Sequence, residues 1–232
     1  MLRFTVDTEQ IEPPPSNAEA VKANLRGKGG FGIVYEARFR GSRVRVPCQA
    51  KECAALTAQV AVKLFIEQSL DARSLAMSRR EVLVMAKLVH PRLVRLVGAS
   101  LRAPHMCLVL EFVERGSLRD LLSREDAPSL LPLPRRLQIA LDMVDGLLFM
   151  HERGVLHRDV KAANVLVDAD FRGKVCDFGF AALKEETKTK TKVVGSITHT
   201  PPEILLDEHP HFTAASDTYS AAVTVYEILS FR

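Results

Sequence analysis

The chain has 232 residues, 47% of them hydrophobic and 26% charged, with a formal net charge of +4 and four cysteines. That length buries a substantial core in one large domain or two small lobes, and no apolar run approaches the roughly 20 residues needed to cross a bilayer. The net charge is too small to argue for a nucleic-acid partner, and Cys48, Cys53, Cys107 and Cys176 contain no Cys-x-x-Cys pair, so neither a zinc site nor a disulfide framework is indicated.

The first residues, Met1 to Asp7, lack the apolar core of a secretory signal, which makes the cytosol or nucleus the default. Residues 1–20 hold Pro13-Pro14-Pro15 and few apolar side chains, and read as a flexible leader with no core of its own. Short β-branched runs follow: 32–39, 59–65, 93–97 and 106–111. Between Ser78 and Leu88 the apolar positions Val82, Met85, Ala86 and Val89 follow helical spacing, and Pro91 ends that element. Cys107 and Cys176 fall in apolar runs and are expected as small core residues, their reduced thiols fitting an intracellular protein.

Helical periodicity dominates from Ser117 onward. Leu137, Ala140, Leu141, Val144, Leu147 and Leu148 form one broad stripe between Pro134 and His151, predicting a long buried helix started by proline. Ala214 to Leu229 is a second, nearly all-apolar helix, capped by Thr213 or Ser216. The run with Lys184, Lys188, Lys190 and Lys192 is interleaved with glutamates and threonines and reads as a solvated loop. The chain thus divides into a β-rich half over 21–113 and a helical half over 114–232, and it has no internal repeat.

Gly27-Lys28-Gly29-Gly30-Phe31-Gly32 matches G-x-G-x-x-G. A dinucleotide fingerprint would be followed by a helix, whereas Ile33-Val34-Tyr35 is a strand. The alternatives are a flap whose backbone N–H groups close over phosphates and a glycine-rich hairpin with no ligand. Lys63 then stands on the otherwise apolar Val60-Ala61-Val62 strand, where an unpaired ammonium is expensive to bury. Glu81 on the next helix is the best candidate for its partner.

His157-Arg158-Asp159-Val160-Lys161-Ala162-Ala163-Asn164 and Asp177-Phe178-Gly179 carry the most information. With the glycine loop and Lys63, they make the chain resemble a eukaryotic-type protein kinase from about residue 21 onward. The spelling around Asn164 and in Gly195-Ser196-Ile197-Thr198-His199-Thr200-Pro201-Pro202-Glu203 is most similar to the tyrosine-kinase-like branch of Ser/Thr kinases. The resemblance implies an α+β, two-lobed kinase fold with a small β-rich N lobe and a larger helical C lobe. The family continues through further helices after the Asp217 segment, so the C lobe is expected to be incomplete.

The implied activity is transfer of the γ-phosphoryl group of Mg-ATP to serine or threonine hydroxyls of protein substrates, in a cytoplasmic signalling role. The resemblance casts Asp159 as proton acceptor, Lys161 as charge partner of the transferring group, and Asn164 and Asp177 as magnesium ligands. ATP would meet the glycine loop and Lys63, which Glu81 holds. Its adenine would lie between Val34, Ala61 and Leu166, against the linker Glu111-Phe112-Val113 and behind it Leu110. Leu96, Met85, Phe178 and His157 match the family's stack of side chains anchored by Asp217. Arg158 would pair with a phosphate on Thr187, Thr189, Thr191, Ser196 or Thr198. Residues 41–58 read as an insertion. The rival readings are an inactive nucleotide-binding pseudokinase scaffold and an interaction module.

Overall fold

Alternation along β3, Gly32–Phe39, decides the first half of the molecule: Tyr35, Ala37 and Phe39 point into a core while Arg38 faces water. The computed structural model describes residues 5–29, 32–40, 58–65, 72–102, 105–183, 196–206 and 211–231. Gly30, Phe31, the 41–57 part of the expected insertion with Cys48 and Cys53, the lysine run from 184 to 192 and Thr187, Thr189 and Thr191 lie outside the described residues. Two compact units emerge, one from residues 1–86 and 95–112, the other from 87–94 and 113–232.

The first unit is a six-stranded antiparallel sheet. β1, Ile11–Glu12, and β2, Leu25–Gly29, both pair with β3; then come β4, Ala58–Phe65, β6, Cys107–Glu111, and β5, Leu96–Ser100, in that spatial order. A short helix α1, Ala18–Ala23, is capped by the Asn17 side chain on the Ala20 N–H at 3.0 Å, and α2 runs from Ala72 to Lys87. Val82 and Met85 of α2 are buried, whereas Val89, which lies beyond the helix, is exposed.

Two expectations need correction here. Residues 5–20 are not a coreless leader: Ile11 is fully buried with Tyr35, Phe39 and Val62, and burying it contributes about 2 kcal/mol. A two-residue strand with one apolar member leaves no period to detect. The run 93–97 is not one strand either. Leu93 and Val94 belong to the second unit, where the Val94 N–H donates to Val175 O at 2.8 Å, and β5 starts at Leu96. The boundary therefore falls between Phe112 and Val113, with 87–94 joining the helical half.

The second unit is built on α5, Leu133–Glu152, preceded by α3, Leu118–Leu122, and α4, Ala127–Leu130. Short ladders follow: β7, Val155–Leu156, with β10, Ala182–Leu183, and β8, Val165–Val167, with β9, Gly173–Val175. α6, Pro202–Leu205, and α7, Ala214–Ser230, complete it. α7 opens on a capping box in which Thr213 and Ser216 serve each other's backbone, so both proposed caps act together. Arg136 of α5 donates to the carbonyls of Ile228 and Leu229 at the other end.

α5 corrects the buried-stripe expectation. Ile139, Met143, Gly146, Leu147 and Met150 face the core, while Leu137, Leu141, Val144 and Leu148 are exposed. The helix is apolar on more than one side, and the face that packs is the one where Gly146 admits the chain at Arg92. A Cβ there would lie 2.8 Å from the Arg92 carbonyl oxygen. Cys107 is buried, and burial pushes its thiol up to about 11; Cys176 is only half-buried. Among the described residues no helix is long and apolar enough to cross a membrane.

Candidate active site

In the first unit the glycine segment is a hairpin: Lys28 pairs with Ile33 and Gly29 with Gly32 across β2 and β3. An added Cβ meets nothing within 4 Å at Gly27, but at Gly32 it would stand 2.1 Å from Leu64 O. Gly32 is therefore glycine because β4 passes too closely for any side chain.

Lys63 lies on β4 between Val34 of β3 and Leu108 of β6. Its Nζ donates to Glu81 Oε1 at 2.9 Å, and both side chains are almost wholly buried. Neighbouring strands on both sides desolvate the ammonium, and the carboxylate from α2 offsets that cost. Half-buried Val34 and Ala61 belong to this unit, with Ala61 opposite Leu110. Glu111 ends β6 and accepts the Arg95 N–H at 2.8 Å. Leu96 and Met85 are buried here.

The second unit carries the rest. Asp217, buried in the first turn of α7, accepts the backbone N–H groups of His157 and Arg158, each at 2.8 Å, and His151 Nε2, also at 2.8 Å. These contacts hold the segment after β7, where Arg158 takes a left-handed φ of 68°. The His157 ring is oriented as well: Nδ1 accepts the Asp159 N–H at 3.3 Å and Nε2 donates to Cys176 O at 3.0 Å, which puts the proton on Nε2. Phe178 lies beside that ring with centroids 5.8 Å apart.

Both oxygens of Asp159 are engaged. Oδ1 accepts the Ser196 N–H at 3.0 Å; Oδ2 accepts Lys161 Nζ at 2.7 Å and Asn164 Nδ2 at 2.9 Å. Lys161 also donates to Ser196 Oγ at 2.8 Å. Asn164 Nδ2 donates in addition to Asp159 O at 2.7 Å, so its amide oxygen remains as an acceptor for a cation. The β8–β9 ladder brings Cys176 to Asn164, N–H to O at 2.9 Å, and so delivers Asp177, at φ 60°, beside the same turn. Half-buried Leu166 sits on β8, and buried Val113 precedes the turn closed by the Gly116 N–H.

Of the candidate phosphate acceptors among the described residues, Ser196 is engaged with Lys161, and Thr198 Oγ1 lies 2.9 Å from His199 Nδ1. Arg158 places its guanidinium 5.7 Å from the Phe212 ring. Three residues escaped sequence reasoning. Asp142 is a buried acid on α5, and His199 and Glu227 face each other at 3.1 Å. Asp142 and Glu227 belong to no spaced motif, and His199 lies inside the 195–203 segment, where its imidazole was given no role of its own.

A family model described as protein tyrosine and serine/threonine kinase matches residues 21–232. The chain is 35% identical over 209 residues to the serine/threonine-protein kinase CTR1 of Arabidopsis thaliana, covering 89% of this chain and 23% of the relative. It is 37% identical over 216 residues to the EPD1-interacting receptor-like cytoplasmic serine/threonine-protein kinase 5A of Gossypium barbadense, covering 90% and 44%. To the dual specificity protein kinase shkC of Dictyostelium discoideum it is 34% identical over 228 residues, covering 96% and 41%. The chain spans less than half of each of these relatives. With the match extending from the glycine hairpin through the Asp159 loop to α7, the chain belongs to the protein tyrosine and serine/threonine kinase family.

Proposed function

We propose that the chain is a cytoplasmic protein serine/threonine kinase domain that moves the γ-phosphoryl group of ATP to serine or threonine hydroxyls of protein substrates. The observation that carries this reading is the Asp159 carboxylate, buried yet bonded to Lys161, Asn164 and Ser196, each of which has its own part in phosphoryl transfer. Asp159 accepts the proton of the substrate hydroxyl as its oxygen bonds to phosphorus and the bond to the ADP oxygen breaks. Lys161, held 2.7 Å from that carboxylate, offsets negative charge on the transferring oxygens. Lys63, kept in place by Glu81, binds the phosphates, and the hairpin carrying Gly27, Lys28 and Gly29 covers them.

The donor set would suit magnesium: one amide oxygen from Asn164 and one carboxylate from Asp177, on segments whose backbones meet where the Cys176 N–H donates to Asn164 O. Two hard oxygen ligands leave the remaining positions to water and phosphate, the usual arrangement for this ion. When bound, magnesium would neutralise phosphate charge during transfer.

The test is incubation of the purified chain with γ-labelled ATP, magnesium and a basic protein, followed by phosphoamino-acid analysis. Phosphoserine and phosphothreonine are expected. Phosphotyrosine beside them would assign dual specificity, as in the name of the Dictyostelium relative. Thermal stabilisation by ATP with no label transferred would favour the inactive scaffold.

A further inference from the structure

We propose that His199 and Glu227 form a charge-dependent latch holding the acceptor loop against the catalytic loop, so that protein-substrate binding weakens as the imidazole loses its proton. This inference rests on the kinase reading of the same site.

His199 is buried, and its Nε2 lies 3.1 Å from Glu227 Oε2 on α7. That contact is off the line of a proper hydrogen bond, and Nε2 has no other hydrogen-bond partner among the described residues. An off-line contact draws its strength from charge rather than direction, so it depends on whether the imidazole is protonated. Imidazole is the side chain whose charge ordinarily changes between about pH 5 and 8.

The pair sits where its strength matters. Ser196, three residues before His199, donates its N–H to Asp159 and receives Lys161 on its hydroxyl. The Thr200 hydroxyl donates to Ser196 O at 2.9 Å, and the Ser220 hydroxyl of α7 donates to His199 O at 2.7 Å. The same Glu227 oxygen reaches the Ala162 N–H at 3.4 Å, in the turn that ends at Asn164. One carboxylate thus bridges the segment that meets the acceptor and the segment that does the chemistry. The other ring nitrogen, Nδ1, lies 2.9 Å from Thr198 Oγ1. Asp159 and Lys161 hold each other at 2.7 Å, Asp217 is taken up by His151 and two backbone N–H groups, and Glu203 on α6 is exposed. His199 is a positioning residue: it acts through Ser196 and Ala162, not on the reacting atoms.

The experiment has two arms, each run on wild type and His199→Gln between pH 6 and 8. One measures KM for a serine peptide without titratable side chains and KM for ATP. The other measures amide exchange over residues 196–200 without ATP, corrected for the intrinsic pH dependence. A charged contact at this distance outweighs a neutral one by enough that the wild-type peptide KM should rise about fivefold across this range, with exchange protection falling by a similar factor. His199→Gln, which keeps an N–H donor but no charge, should be flat in both arms, and KM for ATP should behave alike in both proteins. Glu227→Gln must flatten the wild-type profile too, which covers any failure of the first variant to fold. Parallel pH profiles in wild type and variants, or wild-type exchange indifferent to pH, would overturn the latch. If no phosphate is transferred at all, the kinase reading fails while the exchange arm still decides the latch.

Discussion

Asp142 and Asp159 lie in the same unit, are 3% and 4% exposed, and each has both carboxylate oxygens engaged, yet they do different work. Asp142, on α5, is gripped by Arg172 through two bonds of 2.9 and 2.7 Å, by the Gly173 N–H at 2.9 Å, by Gln138 at 3.1 Å and by Arg92 at 3.2 Å. Forked guanidinium contacts and a backbone donor tie a helix to the start of β9 and leave the acid with nothing further to bind. Asp159 is held instead by a lysine, an amide and a serine N–H from a second loop, partners that also fit phosphate, metal and acceptor. Burial and satisfied hydrogen bonds do not separate the two acids; the chemistry of their partners does, and on it the proposed role of Asp159 rests.

That contrast can be broken most forcefully at Asp142. Asp142→Asn leaves two arginines without their carboxylate and should cost about 3 kcal/mol of stability, read as a shifted urea midpoint, with transfer per folded molecule unchanged. Lys161→Ala should do the reverse. Removing a cation from the transferring group is expected to lower kcat by about 10²-fold, with the melting temperature little altered.

Acid sharpens the comparison further. Burial alone would raise the Asp142 carboxyl, but Arg172, the Gly173 N–H, Gln138 and Arg92 together outweigh it and hold it below the usual carboxylate range. A depressed carboxyl contributes stability above its unfolded value and loses it as pH falls through its folded value. Urea midpoints should therefore drop below about pH 4 more steeply in wild type than in Asp142→Asn. At the small end is the outward face of α5: Leu141→Gln, at a 64% exposed position, should change stability by less than about 0.5 kcal/mol. A larger loss would mean that this face is covered in solution.

The asymmetry between the two acids also marks what the sequence could disclose. Asp159, Lys161, Asn164 and Asp177 fall in short runs with fixed spacing, so their proximity was readable before any coordinates. The Lys63–Glu81 contact was readable because an ammonium on an apolar strand needs an anion. β3 was legible to the residue because its β-branched and aromatic run, continued by polar–apolar alternation to Phe39, lies between Gly32 and Gly41. Asp142 was invisible: its partners Arg92 and Arg172 lie 50 and 30 residues away in the chain, with nothing in the local pattern to join them. Ile11 was missed because its strand is two residues long, and the exposed side of α5 because an apolar stripe does not say which neighbour arrives to cover it. His199 and Glu227 belong with Asp142, being a pair made by the packing of α7 on a loop.

The proposed transfer requires Asp159 to be the carboxylate that takes the proton. The direct measurement is the single-turnover rate of phosphate transfer to a serine peptide by Asp159→Asn and Asp142→Asn, side by side with wild type, at a temperature where all three are folded. Transfer slowed by about 10³-fold in Asp159→Asn and unchanged in Asp142→Asn is the predicted result. Wild-type rates in Asp159→Asn, or equal losses in both variants, would contradict it.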